Sequence, residues 1–259
     1  MSAPRVVFLG GNGHAAVRLE PARAALRAAD SPFELVEARY PGFEGRAPAH
    51  DFEGFLEALE GSVRTALDGA QRARLHATGI GGTLLLALRA RGAFVEVPAT
   101  LEGAVLWGLE TRWFPRLMRI GPAPRLLRRL LRARLVQRRF AARHLAALEP
   151  RRADDFVRRF FEGYARCAHF EDLFDWLDPA FLRELERRFA ERPRALDGLE
   201  FVVGEDDRVV GLAEIERTSR ALGRELDARV VPGFGHYALI ETPERWVAEV
   251  SARALATAR

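Results

Sequence analysis

Apolar positions along this chain recur with two periods, and the switch between them marks out the elements. Val6-Val7-Phe8-Leu9 is an unbroken apolar run that ends in Gly10-Gly11-Asn12-Gly13. It reads as a buried strand over residues 5–10 that closes in a loop. A helical pattern follows from His14 to about Ala29, and a second strand from Phe33 to Ala38. Pro41, Gly42, Gly45 and Pro48 break the next stretch into a loop. From Asp51, the residues Phe52, Phe55, Leu56, Leu59 and Val63 fall on one face of a helix. Leu75-His76-Ala77-Thr78-Gly79-Ile80-Gly81-Gly82 reads as a strand turning sharply into a helix, with small residues where the two elements nearly touch. The apolar run Thr83 to Leu88 continues that helix. Ala93 to Val97 is expected as a short strand stopped by Pro98.

The alternation then breaks. Residues 99 to about 192 carry helical patterns and no clear strand. It resumes with a strand at Leu199–Val203, a helix at Val210–Leu222 and a strand at Ala228–Val231. A last helix runs from Pro243 to about Ala256, with Pro243 in its first turn and Trp246, Val247 and Val250 on one face. Strand–helix alternation predicts an α/β fold, a mostly parallel sheet flanked by helices. The expected organisation is one structural core in two parts, residues 1–98 and 193–259, interrupted by a helical cap over residues 99–192.

Composition narrows the class. With 259 residues, 48% of them hydrophobic and 29% charged, the chain suits a globular protein with a sizeable core. The one cysteine, Cys167, excludes an internal disulfide, and no Cys/His cluster has zinc spacing, so neither a metal nor a cofactor is expected. An apolar strand begins within five residues of the start. That leaves no room for a charged n-region, an apolar h-region and a cleavage site, so a cytoplasmic location is expected. No uncharged stretch is long enough for a transmembrane helix. All 40 basic residues are arginine, and Asn12 is the one asparagine.

Three stretches carry candidate chemistry. The first is Phe8-Leu9-Gly10-Gly11-Asn12-Gly13-His14. The second is the turn around Gly79. The third is the pair Gly204-Glu205-Asp206-Asp207-Arg208-Val209 and Gly233-Phe234-Gly235-His236-Tyr237. In this order the chain resembles the α/β-hydrolase superfamily over nearly its whole length, starting at what would be the third strand of the family sheet. The resemblance implies that Asp207 is the acid and His236 the base of a catalytic triad. It also implies that the Ile80 amide is one oxyanion donor, the other coming from Gly11 or Asn12, with His14 facing the pocket. Asp206 is the neighbouring candidate acid, and His144 and His169 are further candidates within the helical insert. Where the family carries serine, aspartate or cysteine, this chain has Gly79, which has nothing to attack with.

The resemblance therefore implies an enzyme without the usual nucleophile, in which a His-Asp general base drives hydrolysis or lyase- or cyclase-type chemistry on a small acyl or carbonyl substrate. An alternative is a non-catalytic pseudo-hydrolase that binds a small molecule. A third reading is a nicotinamide-dinucleotide-binding protein, because Gly11-x-Gly13-x-x-Ala16 follows a strand and Glu37 ends the next one. Residues 101–160 hold fifteen arginines against five acids. There, Leu126, Leu127, Leu130, Leu131, Leu135, Val136 and Phe140 form an apolar stripe. That excess suits a solvated helix face, an anionic or carrier-bound acyl substrate, or a membrane surface. Nucleic acid is not expected, because no basic groove with interleaved aromatics appears.

Overall fold

The computed structural model describes residues 3–11, 16–30, 33–104, 107, 120–145 and 148–256, and elements are numbered over these. Six parallel strands form one sheet: β1 (Arg5–Leu9), β2 (Glu34–Glu37), β3 (Ala73–Thr78), β4 (Ala99–Glu102), β5 (Leu199–Gly204) and β6 (Ala228–Val231). Their spatial order is β2-β1-β3-β4-β5-β6. Because every neighbouring pair is parallel, all six strands finish at the same edge. A parallel sheet of this kind needs cover on both faces. The alternation of β1 shows how it is met. Val7 and Leu9 join one buried cluster, with helices α2 (Phe52–Leu67) and α3 (Ile80–Ala90). Val6 and Phe8 join the other, with α1 (Glu20–Ala28) and the last helix, Pro243–Ala256.

Between β4 and β5 lie α4 (Ala123–Leu130), α5 (Arg134–His144), α6 (Pro150–Ala165), α7 (Asp172–Trp176) and α8 (Pro179–Glu191). Then follow α9 (Leu212–Leu222), a one-turn α10 (Ala238–Glu241) and α11 (Pro243–Ala256). Phe52 of α2 stacks on Trp176 and meets Phe181 edge-on, so α7 and α8 pack onto the core rather than standing clear of it. Arg89, at the end of α3, has no exposed surface. Its guanidinium donates to the carbonyls of Asp197 (2.8 Å), Ala195 (3.3 Å) and Val97. One side chain thus ties the segments that lead into β4 and β5.

Several boundaries differ from the sequence expectation. The strand expected at Ala93–Val97 is a series of turns, with Phe94 at φ 57°, and the sheet takes Ala99–Glu102 instead. This strand therefore falls inside the segment expected to be helical. Its signal was hidden because two of its four residues, Thr100 and Glu102, are polar yet buried. Their partners come from the neighbouring strand and from α11. Arg74 donates to Thr100 at 2.9 Å, His76 Nε2 lies 2.7 Å from Glu102 Oε2, and the Trp246 indole donates to the same oxygen at 2.8 Å. His76 is accordingly a core residue.

The first α-helix begins at Glu20 after a 3-10 turn over Ala16–Leu19, with Pro21 in its first turn where a missing N–H costs nothing. The apolar stripe from Leu126 to Phe140 is divided between two helices by a turn at residues 131–133. The helix expected from Val210 begins at Leu212.

Candidate active site

The local sequence explains the turn after β3. Gly79 adopts φ 55° and ψ −128°, a combination almost closed to residues with a side chain. Its N–H donates to the Glu102 carbonyl at 3.3 Å, so the turn is held against the end of β4. Among the described residues a Cβ on Gly79 would meet only the Gly11 Cα, at 3.7 Å, so none of them fills the space above this position. The flanking glycines are different. A Cβ on Gly81 would come within 2.5 Å of the Leu9 and Gly10 carbonyl oxygens, and one on Gly82 within 2.6 Å of the Ala104 side chain. Those two glycines let α3 lie directly on the ends of β1 and β4. The same closeness presents the first N–H groups of α3, starting with Ile80, at the strand edge without intrahelical partners.

Gly11 stands beside this turn. A Cβ built on it would lie 3.4 Å from the Thr78 carbonyl oxygen and 3.9 Å from the Gly79 Cα. Asn12 and His14 fall outside the described residues. By strand alternation Thr78 shares the face of His76, toward α11, rather than the tip of the turn.

Asp207 and His236 meet at the same edge. Asp207 follows β5 and His236 follows β6; the Asp206 amide donates to the Phe234 carbonyl at 2.9 Å and joins the two loops. His236 Nδ1 lies 2.9 Å from Asp207 Oδ2. The Asp207 side chain is 1% exposed and the imidazole 14%. The other carboxylate oxygen accepts from the Val209 and Val210 amides at 2.7 and 2.9 Å. This explains the late start of α9, since the amides just before it serve the acid. Burial pushes the Asp207 carboxyl up. The hydrogen bond and charge of His236, with the two amides, outweigh it and hold the group below the ordinary carboxylate range. With Nδ1 engaged, Nε2 is the imidazole nitrogen without a hydrogen bond among the described residues.

Two residues close the gap between the dyad and the turn, and sequence patterning had singled out neither. Gly103 follows β4 at φ 51°; a Cβ there would stand 3.1 Å from Asp207 Oδ2 and 3.2 Å from His236 Nδ1. Its backbone therefore packs directly on the dyad, next to the Glu102 carbonyl that holds Gly79. Arg18, on the 3-10 turn, is 5% exposed. Its guanidinium lies over the Phe160 ring at 4.4 Å and the Tyr237 ring at 5.8 Å, and Nη1 approaches to 3.3 Å of the Cβ position of Gly11. A buried arginine is hard to read from a sequence with 40 of them; its one signal was its place just beyond the glycine loop. His144 lies near Tyr237, with ring centroids 6.2 Å apart. His169 does other work. It accepts from the Ala49 amide at 2.9 Å and meets Asp172 at 2.8 Å, pinning the loop over residues 39–49. Among the described residues no three His, Cys, Asp or Glu side chains gather as metal ligands would. No described helix is long and apolar enough to cross a membrane.

A parallel sheet with an acid–histidine pair and a glycine-lined strand-to-helix turn at one edge defines a recognisable class of α/β protein. The model of the "Alpha/beta hydrolase family" matches residues 6–250, and the chain belongs to that family. No curated protein matches it in sequence. Among solved structures, a putative aryl esterase from Burkholderia cenocepacia superposes with a TM-score of 0.66 at 16% identity, over 98% of this chain and 92% of the other. The enol-lactonase from Burkholderia xenovorans LB400 gives 0.64 at 19% identity, over 99% and 92%. A structure from work on carboxylesterases of the thaumarchaeon Nitrososphaera gargenis gives 0.62 at 16%, over 98% and 90%. At these identities the likeness speaks for the fold.

Proposed function

We propose that this protein is a hydrolase of small acyl substrates that uses water where its relatives use a side chain, with Gly79 as the vacant nucleophile position. The carrying observation is the 2.9 Å contact between His236 and a buried Asp207 at the sheet edge that also bears Gly79. In this reading Asp207 orients the imidazole and stabilises its charged form. A water occupies the space above Gly79. His236 Nε2 takes its proton as the water oxygen bonds to the acyl carbon. The resulting oxyanion is met by the Ile80 amide and the loop at Gly11 or Asn12. Collapse breaks the bond to the leaving oxygen, which takes the proton back from His236, and the products are an acid and an alcohol. A negatively charged acyl substrate suits Arg18 beside Gly11, and the helical segment between β4 and β5 acts as the cap that encloses it.

The experiment measures hydrolysis of p-nitrophenyl acetate and butyrate. His236→Ala should lose about 10²–10⁴ of the rate, and Asp207→Asn should slow it as well. Intact-mass spectra of the unmodified protein should show no acyl adduct. Gly79→Ser should form one, because its hydroxyl would stand on the side of His236, at a backbone cost of about 1–3 kcal/mol. An unchanged rate in folded His236→Ala overturns the reading. A second reading, a binding protein without turnover, has the absence of a side chain at Gly79 in its favour. It would take precedence if no tested ester is hydrolysed while small acyl compounds still raise the melting temperature.

A further inference from the structure

Six large apolar side chains are left in water on the described surface; Leu212 and Val230 stand apart, and the other four fall together. Ile120 (59% exposed), Leu126 (57%), Leu130 (45%) and Leu135 (63%) fall within sixteen consecutive positions on and around α4. Isolated exposed leucines need no explanation, but a group does. The helix itself shows the origin. Leu127 and Leu131 face the core, while Leu126 and Leu130, one step round and one turn apart, continue the apolar stripe onto the outside. Exposed Arg125, Arg129, Arg132 and Arg134 are interleaved with them. No acidic residue occurs anywhere between Glu110 and Glu149.

Beside this patch opens a cavity of about 380 Å³ lined by four arginines, Arg132, Arg134, Arg158 and Arg166, with Gln137, Phe161 and one acid, Glu162. Arg158 is paired with Glu162 and Asp155. Arg132, Arg134 and Arg166 have no carboxylate partner among the described residues. Gln137 is 8% exposed. Its Nε2 donates to the Leu131 carbonyl at 3.0 Å, which fixes the orientation of the amide. Its Oε1 is buried and has no hydrogen-bond partner among the described residues. The cavity thus offers guanidinium forks for phosphate, with Glu162 already engaged by Arg158.

We propose that this face docks on an anionic phospholipid surface. The exposed leucines enter the boundary between headgroups and chains, and the arginine-lined cavity takes a headgroup phosphate. Charge selects this occupant over a second copy of the chain. Two such faces would bring arginine against arginine, whereas an anionic lipid layer complements them.

The test is cosedimentation with vesicles of phosphatidylglycerol and phosphatidylcholine in equal parts, against phosphatidylcholine alone. Partitioning onto the mixed vesicles should be at least about tenfold stronger and should weaken with added salt. The triple variant Leu126→Ser, Leu130→Ser, Leu135→Ser should lose about tenfold or more on the mixed vesicles. Arg132→Gln with Arg134→Gln should lose severalfold through the charge contribution alone. All five positions are exposed, so the fold should persist, and thermal melts check this. Equal partitioning onto both vesicle types, or a folded triple variant that binds as well as the parent, overturns the proposal. So does a concentration-dependent dimer in sedimentation equilibrium that the triple variant abolishes, since the face would then be a contact between copies.

Discussion

At Asp207 the fold has taken a carboxylate out of water and given it three donors in return. Burial alone would raise its pKa, but the imidazole and the Val209 and Val210 amides keep it below the ordinary range. A carboxyl depressed in the folded state stabilises the protein above its unfolded pKa of about 4, and that contribution is lost as pH falls through the lower folded value. Asp207→Asn should therefore be less stable than the parent near neutrality, with the gap narrowing as the pH is taken into the acid range. Urea unfolding at pH 6 and pH 3 checks this; a gap that widens toward acid would contradict the assignment. The pairing of Asp207 with His236 was implied by the resemblance to the α/β-hydrolase superfamily, which places an acid and a histidine after two late strands. The part of Arg18 was not, since a guanidinium reaches too far for its end to be placed from its position in the chain.

Among the elements, the β3–α3 unit depends closely on exact residue size. Gly81 has an ordinary backbone, so an added Cβ costs nothing by conformation. The cost is steric, because backbone oxygens of Leu9 and Gly10 at 2.5 Å cannot move aside as a side-chain tip could. Gly81→Ala should destabilise by about 3 kcal/mol. In a chain of this length that lowers the melting temperature by about 6–12 °C. An unchanged melting temperature would mean that α3 slides off β1 without penalty. The small residues marked this close approach in the sequence. The neighbouring β4 was misplaced for the opposite reason. Its alternation is apolar with polar, and the polar half is satisfied only by Arg74, His76 and Trp246 from elsewhere in the chain. A strand that buries polar residues looks like a surface segment until its partners are known.

For the whole molecule, the problem is to return the chain to the sheet after the long excursion between β4 and β5. Arg89 addresses it by binding the carbonyls just ahead of both strands. Burial, with the Arg74 charge nearby, pushes its pKa down to about 10, so it remains charged at neutral pH. Arg89→Met keeps much of the stem and removes the donors, leaving buried carbonyls unmet. It should cost about 2–4 kcal/mol in urea unfolding. A cost below about 1 kcal/mol would show that water replaces the guanidinium and that the two segments close without it.

The sequence alone determined the alternation of strands and helices, the interruption by a helical stretch, and the glycine, acid and histidine that follow three of the six strands. These are local signals, carried by side-chain period and by residues too small or too polar to sit elsewhere. The tertiary structure decided which polar residues are buried together, that Gly103 and Arg18 join the dyad and the Gly79 turn, and which leucines of one apolar stripe face the core and which face out. Each of these depends on distances between segments far apart in the chain. A hydrophobic period records that a residue has an inward or outward face, but not what stands opposite it.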